Sequence, residues 1–345
     1  MIKAGIIGGT GYAGQNLVWL LSRHDKVKLE FICSHNNTNT PFSQVYPNYM
    51  GFMHDVCIDI QSALEKLSLI DVLFIALPHG KSFDITQQAL EAGVKVVDLG
   101  ADFRLKEPGL YKLWYGLDHI CQELLSSAVY GLPEINKTSI IGADLVANPG
   151  CYPTASILAL TPLLSESLID PQSVIIDAKS GVSGAGRTAN IGTLYCECSD
   201  SIKAYGVASH RHTPEIEQEL SRAANQQIAV SFTPHLVPMN RGILATCYGT
   251  LSKTVEQNTL YDLFREFYQG KSFIRICNDI PETRWVKGTN ICDIGIRIDK
   301  RTNRVIVISA IDNLIKGAAG QAVQNMNILF NMNETDGLEL LSMVP

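Results

Sequence analysis

The first fourteen residues of the chain place a strand, a glycine-rich turn and the start of a helix in immediate succession. Residues 3–7 are mostly apolar and predict a buried parallel strand. Gly9, Gly11 and Gly14 then fit the pattern G-x-G-x-x-G, whose glycines let the backbone approach a pyrophosphate resting on a helix N-terminus. Strand, turn and helix in this order are the context that the pattern requires, so we predict a dinucleotide-binding domain. Its expected cofactor contacts are Gly8, Gly9, Thr10, Gly11, Tyr12, Ala13 and Gly14.

The end of the second predicted strand, Val27–Cys33, bears on the choice between NAD and NADP. A site that prefers NAD usually has an acidic residue there, which holds the ribose 2′-hydroxyl. In this chain the strand is followed by Ser34-His35-Asn36-Asn37-Thr38. Neutral hydroxyl and amide groups can bind a 2′-phosphate without charge repulsion, so we predict NADP, with Ser34 as a contact. No arginine in this segment strengthens the prediction, and an ordinary polar loop is the alternative. Pro78 is a further expected contact, because a doubly wound sheet binds ligand in the loops that follow its strands.

The stretch Asn148-Pro149-Gly150-Cys151-Tyr152-Pro153-Thr154 runs from a turn into an apolar segment that predicts a buried helix. Cys151 is therefore expected at a helix N-terminus. Backbone N–H groups and the positive end of the helix dipole favour a thiolate there, and the same N–H groups hold an oxyanion formed on an attacked carbonyl. The alternative is a buried, inert cysteine. The turn before Cys151, the helix after it and the histidines downstream favour a nucleophile.

Two histidines precede the helix that the sequence predicts over Glu215–Ala224. His210 and His212 flank Arg211, and on an extended segment residues two apart point the same way. A zinc site needs more ligands at suitable spacing, and a structural histidine is the simpler alternative. A general acid or base near neutral pH needs only one imidazole. We predict that His210 has this role, supported by His212 or Arg211.

Three arginines are candidates for binding an anion. The segment Ser180–Arg187 is rich in glycine and serine and is expected to expose backbone N–H groups as an anion cradle, although a flexible linker is the alternative. Arg187 adds a permanent positive charge to that segment. Arg104 either pairs with Asp102 or faces an anionic substrate. Arg241 belongs either to an anion pocket or to a subunit contact.

Composition argues against several classes of protein. The 345 residues suggest about two domains, and a charge of −6 without a basic stripe gives nucleic-acid binding no support. No apolar run approaches the length of a membrane span, and the N-terminus lacks a signal-peptide layout, so we expect a cytoplasmic protein without a membrane partner. The nine scattered cysteines indicate free thiols. We expect no metal site, because no matching ligand pair follows Cys196-Glu197-Cys198.

A dinucleotide site, a thiol nucleophile and a histidine on one chain suggest hydride transfer to an acyl group through a thioester. Phosphate is a good leaving group, so the expected anion cradle fits an acyl phosphate. In these motifs the chain resembles the N-acetyl-γ-glutamyl-phosphate reductase family, over essentially its whole length. The turn Asn148–Thr154 and the segment Lys316–Ala322 are the most specific. The other matching stretches are Gly8–Gly14, Gly100–Leu105, Ser180–Arg187, His210–Glu217, His235–Ile243, Gly288–Gly295 and Asp312–Asn327.

The resemblance implies an α/β protein. Its N-terminal Rossmann domain would be completed by the C-terminal helix, and its α/β catalytic domain would hold a large mixed sheet, as in semialdehyde dehydrogenases. We place the Rossmann domain at residues 1–147 plus 312–345, and the catalytic and oligomerisation domain at 148–311. Members of the family use NADPH to reduce N-acetyl-L-glutamyl 5-phosphate to N-acetyl-L-glutamate 5-semialdehyde and phosphate, in L-arginine biosynthesis. Cys151 would be the nucleophile and His210 the acid or base, in a homodimer or homotetramer.

Two further groups of residues complete the expected site. Additional cofactor contacts are Ser180, Gly181, Gly184 and Asn313. Candidates for holding the small acyl-phosphate substrate are Arg104, Asn148, Arg187, His212, Glu215 and Arg241.

Three alternative functions fit the sequence less well. Aspartate-semialdehyde dehydrogenase has the same chemistry on a shorter substrate, but its cysteine turn lacks the Gly-Cys-Tyr-Pro order. A reductase of carrier-protein-linked glutamyl or aminoadipyl phosphate should have a basic surface near the pocket, which the sequence does not obviously offer. A non-catalytic NADP sensor would have lost Cys151 or His210, and both are present.

Overall fold

The computed structural model describes residues 1–344, which form two units. The units are Met1–Pro149 with Ala318–Glu339 (unit 1), and Gly150–Gly317 with the described residues from Leu340 on (unit 2). They differ from the sequence-based domains at three places. Residues 148–149 fall in unit 1, whereas residues 312–317 and those from 340 on fall in unit 2.

Unit 1 is built on a six-stranded parallel sheet. Its strands are β1 (Ile2–Ile7), β2 (Val27–Cys33), β3 (Val72–Ile75), β4 (Lys95–Asp98), β5 (Val129–Tyr130) and β6 (Leu145–Ala147). They lie in the order β2-β1-β3-β4-β6-β5. The order reverses at β1, and a doubly wound sheet binds its ligand at such a reversal, beyond the carboxyl ends of the strands. The predicted Rossmann fold of the N-terminal region is confirmed.

Helices connect the strands of unit 1. They are α1 (Tyr12–Leu21), α2 (Phe42–Val45), α3 (Ile60–Glu65), α4 (Phe83–Glu91), α5 (Pro108–Tyr115), α6 (Glu123–Ser127) and α7 (Pro133–Ile140). Buried apolar side chains of β1, β3 and β4 meet those of α4 and α5 in one core. Ser82 precedes α4 but does not cap it with its side chain. Its hydroxyl donates to Asp102 at 2.7 Å and to Asp98 at 3.2 Å instead.

Unit 2 contains a large mixed sheet, as predicted, and the sheet has seven strands. Its strands are β7 (Ile175–Gly181), β8 (Lys203–Ala204), β9 (Ser231–Val237), β10 (Ile243–Thr250), β11 (Ile274–Cys277), β12 (Cys292–Asp299) and β13 (Arg304–Ile311). They lie in the order β11-β12-β13-β10-β7-β9-β8, and β7–β9 and β11–β12 are the parallel pairs. The alternating segment Ile296–Asp299 and the strand-like segment Arg304–Ala310 predict a hairpin through Lys300–Asn303. This prediction is confirmed, because Asp299 pairs with Arg304 in the antiparallel ladder.

One helix of unit 2 is buried along almost its whole length. The helices are α8 (Cys151–Ser165), α9 (Tyr195–Cys198), α10 (Thr213–Ala224) and α11 (Gln257–Phe267). Every side chain of α8 from Tyr152 to Leu164 is buried, and α8 packs between the sheet, at β10 and β13, and α10. An all-round apolar sequence predicts such burial. The first residue of α8 is Cys151, which is only partly covered.

The two faces of the unit 2 sheet differ in burial. Along β7, β9 and β10 buried residues alternate with half-buried ones, which is the period of a strand with one covered face. The covered face is the one that meets α8. The other face carries Asp177, Lys179 and His235, and these side chains keep 36%, 33% and 23% of their surface exposed.

The chain returns to unit 1 through an irregular turn. A π-helical turn, Ile315–Ala319, precedes α12 (Gly320–Leu329), which packs on α1 and α7. The small residues of Asp312–Ile328 predict one continuous helix, and this prediction is wrong for the first residues of the range. The Asp312 carboxylate accepts the N–H groups of Leu314 and Ile315 at 2.8 and 3.1 Å, and this local capping delays the helix.

The amide side chains of α12 are bonded within unit 1. Gln321 and Asn325 both donate to the carbonyl oxygen of Gly131, at 2.9 and 2.8 Å. Asn325 also donates to the side-chain oxygen of Asn148 at 3.0 Å. Buried amides without partners would be costly, so these bonds fix the register of the helix. The buried amide residues of α12 are Gln321, Gln324, Asn325 and Asn327.

Candidate active site

The glycine-rich loop after β1 has no room for side chains at three positions. A Cβ on Gly8, where φ is +84°, would lie 2.3 Å from the carbonyl oxygen of Ala76. A Cβ on Gly14 would lie 2.2 Å from the carbonyl oxygen of Gly8, and one on Gly9 would lie 2.4 Å from a side-chain carbon of Ile32. The loop therefore holds α1 close to β1, as a dinucleotide-binding turn requires.

Backbone hydrogen bonds hold this loop in shape. The N–H groups of Gly8 and Gly9 both donate to the carbonyl oxygen of Cys33 at 3.0 Å, and that of Gly11 donates to Gly8 at 3.1 Å. Because these three N–H groups already have backbone acceptors, any contact of the three glycines with the cofactor would be made by their Cα atoms. The N–H groups that a helix leaves without intrahelical partners belong to its first turn, which here begins at the exposed Tyr12 and continues through Ala13 and Gly14.

A cluster of neutral polar side chains lies at the end of β2. The hydroxyls of Ser34 and Thr10 are 2.6 Å apart, and the amide of Asn37 donates to Thr10 at 3.2 Å. Ser34 and Thr10 are buried, at 2% and 9% exposure. The cluster has no carboxylate among its three members, which suits a ribose that carries a 2′-phosphate. Asn37 belongs to the polar loop after β2 but was not predicted as a cofactor contact. Its hydrogen bond to Thr10 shows that it is part of this cluster.

The loop after β3 is anchored by a buried carboxylate. Asp102 accepts the N–H groups of Gly80 at 2.7 Å and Ser82 at 3.1 Å, and the hydroxyl of Tyr111 at 2.7 Å. Pro78 at the start of this loop is exposed. Burial, reinforced by the nearby Asp102, raises the pKa of Asp98 to about 7. Sequence analysis did not single out the anchoring role of Asp102, since its partners come from the loop after β3 and from helix α5.

Arg104 and Asn148 were both predicted to bind substrate. In the structure both side chains form hydrogen bonds within unit 1. The Arg104 guanidinium donates to the carbonyl oxygens of Asn148 at 2.8 Å and Leu99 at 2.7 Å, and the residue is 6% exposed. The Asn148 amide donates to the carbonyl oxygen of Ala318 at 3.1 Å, and its oxygen accepts from Asn325. Both side chains hold the turn that precedes the cysteine, and substrate contact stays a prediction for them.

Cys151 lies at the N-terminus of α8, as predicted. Gly150 is the N-cap residue, in an extended conformation, and its N–H donates to a carboxylate oxygen of Glu215 at 2.8 Å. The hydroxyl and the N–H of Thr154 both return to the Gly150 carbonyl oxygen at 2.9 Å. Glu215 is fully buried, so it holds the residue before Cys151 in place. Its predicted substrate contact stays a prediction.

The two histidines adjoin Tyr152, the residue after the cysteine. Their ring centroids are 4.9 Å apart, and those of His210 and His212 lie 5.6 and 6.0 Å from the Tyr152 ring. The segment is a turn rather than the extended strand expected from the sequence, because His212 is the N-cap residue of α10. The rings nevertheless meet edge to face, so the two side chains share one site.

A backbone hydrogen bond sets the protonation state of His210. The N–H of His212 donates to Nδ1 of His210 at 3.1 Å. Nδ1 is then an acceptor, so the neutral imidazole carries its proton on Nε2. Burial, with the positive Arg211 beside it, lowers the pKa of His210 from its ordinary 6.5 to about 4. At neutral pH the ring is therefore uncharged and donates through Nε2.

Aromatic side chains form a wall around these histidines. Tyr205 donates to the hydroxyl of Tyr152 at 3.1 Å, which donates in turn to the carbonyl oxygen of His235 at 3.2 Å. Phe232 packs edge to face on His210, with centroids 5.4 Å apart. Burial raises the pKa of both tyrosines, that of Tyr205 to about 12, so both hydroxyls stay protonated. Sequence analysis missed Tyr205 and Phe232, which lie on separate segments without a motif of their own.

The glycine- and serine-rich run is less open than predicted. Ser180 and Gly181 end strand β7, and the N–H groups of Gly181, Val182 and Ser183 donate to carbonyls of residues 239–242 at 2.9–3.1 Å. These N–H groups therefore cannot form an anion cradle. Because their partners lie some sixty residues away, the local composition did not reveal them. Arg187, at the end of the run, is exposed.

Four predicted cofactor residues of unit 2 come together at the end of β7. Asn313 accepts the N–H of Gly242 at 2.8 Å and donates to the Ser183 hydroxyl at 3.0 Å. A Cβ on Gly184 would lie 2.8 Å from the Ser180 hydroxyl and 3.7 Å from the Asn313 amide nitrogen. A Cβ on Gly181 would lie 2.7 Å from the backbone of Asn240. The residues that meet there are Ser180, Gly181, Gly184 and Asn313.

Arg241 is drawn to a buried carboxylate. Its guanidinium lies 3.4 Å from Asp312, which is fully buried and also accepts the N–H of Gly288 at 2.7 Å. The sequence offered two roles for Arg241, an anion pocket or a subunit contact, and neither of them included this pairing with Asp312. Substrate binding by Arg241 stays a prediction.

Two features are absent among the described residues. Among residues 1–344, no three His, Cys, Asp or Glu side chains are grouped so that they could hold a metal ion. Within the same range, no helix combines the length and the apolar character needed to cross a membrane.

Comparison with known proteins identifies the family. The chain matches a semialdehyde dehydrogenase NAD-binding domain over residues 3–143 and a semialdehyde dehydrogenase dimerisation domain over residues 151–313. The N-acetyl-gamma-glutamyl-phosphate reductase of Clostridium novyi is 52% identical to it over 100% of both chains. That of Campylobacter jejuni is 51% identical over 99% of each. The chain belongs to the N-acetyl-gamma-glutamyl-phosphate reductase family. The dimerisation-domain match indicates that this family member self-associates.

Solved structures show the fold that this reductase family shares with other enzymes. Aspartate semialdehyde dehydrogenase II from Vibrio cholerae superposes with a TM-score of 0.73 at 18% identity, over 96% of this chain and 99% of that one. The enzyme from Candida albicans, solved with NADP, gives 0.69 at 17% identity, over 95% and 98%. Identities this low compare folds alone. They confirm the α/β, semialdehyde-dehydrogenase-like fold class predicted from the sequence.

Proposed function

We propose that this chain uses NADPH to reduce N-acetyl-L-glutamyl 5-phosphate to N-acetyl-L-glutamate 5-semialdehyde, with release of phosphate, in L-arginine biosynthesis. The observation that carries the proposal is the placement of Cys151 on the first turn of α8, next to a tyrosine whose ring touches two histidines. Identities near 50% to reductases of that name support the choice of substrate.

The covalent steps follow from the cysteine. The Cys151 thiolate attacks the acyl carbon, the bond from that carbon to the phosphate oxygen breaks, and phosphate leaves with the bonding electrons. NADPH, when bound, supplies the hydride that reduces the resulting thioester. The N–H groups of the first turn of α8 stabilise the oxyanion, and the carbon–sulfur bond then breaks to release aldehyde and thiolate.

The tautomer of His210 suits a donor rather than a base. Its Nε2–H can donate a hydrogen bond to the oxyanion or supply the proton that the departing phosphate takes up. Its Nδ1 lone pair already accepts the N–H of His212. We therefore keep His210 as the acid and assign acceptance of the Cys151 thiol proton to His212, whose ring centroid lies 4.9 Å from that of His210.

The residues of unit 1 fit a phosphorylated dinucleotide. Gly8 and Gly14, where a Cβ would collide with the backbone, let the loop pack tightly between β1 and α1, so that the N-terminus of α1 can face a pyrophosphate. The cluster of Thr10, Ser34 and Asn37 offers hydroxyl and amide donors to a 2′-phosphate. In unit 2 we assign Ser180, Gly181, Gly184 and Asn313 to the cofactor because their polar atoms converge at the end of β7.

The substrate contacts are assigned by charge and access. The exposed Arg187 is the strongest candidate for the phosphate or carboxylate, because Arg104 is only 6% exposed and the Arg241 side chain only 26%. Asn148, His212 and Glu215 remain candidates through their place beside the cysteine turn.

The assembly we propose is a homodimer or homotetramer built on unit 2. One face of the unit 2 sheet is covered by α8, and the other face is only partly covered. The segment between β7 and β8 adds apolar side chains that are strongly exposed, which is unusual for an isolated subunit. They are Ile191 (76%), Leu194 (50%), Tyr195 (81%) and Ile202 (67%). A cytoplasmic setting remains a prediction.

The test runs the reaction in reverse, where the substrate is stable. Phosphate-dependent reduction of NADP is measured with N-acetylglutamate semialdehyde, for the wild type and for Cys151→Ser, with aspartate semialdehyde as the control. The proposal expects activity with the acetylated substrate that disappears in Cys151→Ser. Activity that survives the substitution would refute the thioester mechanism. A preference for aspartate semialdehyde would keep the mechanism and change the substrate.

A further inference from the structure

Gly317 lies against the nucleophile. A Cβ built on Gly317 would be 2.7 Å from Cβ and 3.1 Å from Cα of Cys151. Real Cβ atoms do not approach this closely, and the atoms in the way belong to the backbone and to Cβ rather than to the end of a flexible side chain. One side of Cys151 is therefore closed by the bare Cα of a glycine, in a position where an alanine could not fit without displacing the cysteine.

The backbone reaches this position through the π-helical turn. The N–H of Gly317 donates to the carbonyl oxygen of Asp312, five residues earlier, at 2.9 Å. A π-helical turn is wider than an α-helical one and occurs often at functional sites. The wider turn moves the backbone of Gly317 away from the helix axis. The hydrogen bonds of the Asp312 side chain fix the turn in place.

Asp312 anchors the turn from both sides. One carboxylate oxygen accepts the N–H groups of Leu314 and Ile315 inside the turn. The other accepts the N–H of Gly288 at 2.7 Å and faces Arg241 at 3.4 Å. The carboxylate is fully buried, so its bonds are strong and the turn is held rigidly.

We propose that Gly317 is a positioning residue for Cys151, a role that presupposes the nucleophile of the proposed function. Its Cα fills the space on one side of the Cys151 Cβ and directs the sulfur to the open side, over the first turn of α8. The π-helical turn sets the distance and the missing side chain permits it. A larger residue at 317 moves the cysteine away from the N–H groups that stabilise its thiolate.

The test compares Gly317→Ala with Gly109→Ala. Gly109 is a matched control, because a Cβ there meets no atom within 4 Å. The proposal expects Gly317→Ala to lower kcat by about 100-fold with little change in KM, since a small displacement of a reacting group has that effect. A purely structural glycine would lower the amount of folded enzyme and leave kcat per folded molecule unchanged. Gly109→Ala is expected to match the wild type.

A second readout needs no substrate. The rate of iodoacetamide alkylation at Cys151 is followed against pH by peptide mass spectrometry, with the exposed Cys196 of the same chain as the internal reference. In Gly317→Ala the Cys151 rate at neutral pH should fall roughly tenfold relative to Cys196, because the thiolate loses its stabilising N–H groups. If Cys151 proves not to be the catalytic nucleophile, this readout still decides whether Gly317 positions it.

A third variant covers the case in which Gly317→Ala unfolds the chain. Cys151→Gly removes the Cβ that the new alanine would meet. The proposal expects Gly317→Ala to lower Tm by several degrees in the wild type and by much less in the Cys151→Gly background. Equal losses of Tm in both backgrounds, or a wild-type kcat and Cys151 alkylation rate in Gly317→Ala, would overturn the proposal.

Discussion

The backbone N–H of His212 donates to the Nδ1 atom of His210 across 3.1 Å. The bond exists because the segment turns at Arg211 and His212 becomes the N-cap residue of α10. A single backbone contact thus decides which nitrogen of the predicted acid or base carries the proton. It also opposes protonation of the ring, since an imidazolium has no lone pair to accept that N–H.

Stability should therefore depend on pH through His210. Its pKa is about 4 in the folded chain and near its ordinary 6.5 when unfolded, so between these values the unfolded chain binds more protons and stability rises with pH. The contribution is present above pH 6.5 and is lost as pH falls toward 4, by an amount on the order of 3 kcal/mol. Urea unfolding across this range should show a weaker pH dependence in His210→Phe. The exposed His54→Phe is the control and should retain the wild-type slope.

The carboxylate of Glu215 should be needed for the turn before the cysteine. Glu215→Ala leaves the buried N–H of Gly150 without its acceptor and opens a cavity, and we expect a loss of about 2 kcal/mol in the free energy of unfolding. Alkylation of Cys151 should slow in the same variant, because the N-cap of α8 shifts. Glu215→Gln keeps an oxygen for that N–H and should recover most of both effects. Equal losses in the two variants would contradict the assignment.

Two glycines of the loop after β1 should fail in different ways when changed to alanine. Gly14→Ala forces a Cβ to 2.2 Å from the Gly8 carbonyl oxygen and should lower the free energy of unfolding by about 3 kcal/mol. A Cβ on Gly11 meets only an ordinary contact at 3.5 Å, so Gly11→Ala should stay within about 1 kcal/mol of the wild type. It should nevertheless weaken NADPH binding, because it covers the surface that faces the pyrophosphate. Thermal melts without nucleotide and fluorescence titration with NADPH separate the two effects.

Cofactor choice should respond to a charge at position 34. Ser34→Asp places a carboxylate in the neutral cluster with Thr10 and Asn37, where it repels a 2′-phosphate. We expect the Kd for NADPH to rise on the order of 10- to 100-fold, while NADH binding holds or improves. Ser34→Ala removes the hydroxyl without adding charge and should change the NADPH Kd less. Parallel increases in Kd for both nucleotides would place the 2′-phosphate elsewhere.

A bridging amide should be essential for docking α12. Gln324 donates to Glu134 at 3.1 Å and to Glu334 at 2.9 Å, and both carboxylates are nearly buried. Gln324→Leu leaves two close carboxylates without their shared donor, so the free energy of unfolding should drop by about 3 kcal/mol. Gln87→Leu, at an exposed glutamine, should fall within about 0.5 kcal/mol of the wild type. Chemical denaturation at neutral pH measures both.

Local chemistry explains what the sequence could predict. Glycine spacing between a strand and a helix leaves few folds open, so the Rossmann unit and its loop were predictable from Gly9, Gly11 and Gly14. Gly150 and Pro153 mark a helix start by their own backbone preferences, which placed Cys151 correctly at the N-terminus of α8.

Features fixed by distant partners could not be predicted. The N–H groups of Gly181 and Ser183 are taken by residues 239–242, and nothing in the local composition points to that segment. The helix expected from Asp312 begins late because a side chain caps its own turn, a choice that propensity does not resolve. The wall formed by Tyr205 and Phe232 is assembled from separate segments in the same way.

The return of α12 to unit 1 orders events during synthesis. Unit 1 needs residues 318–339, yet about 170 residues of unit 2 are translated before them. At typical translation rates that interval lasts roughly ten to thirty seconds. Throughout it, the surfaces of α1 and α7 that α12 will cover stay open on the ribosome, while unit 2 can already fold. The nucleotide-binding unit emerges first from the ribosome, yet it is completed only after nearly all of unit 2 has been made.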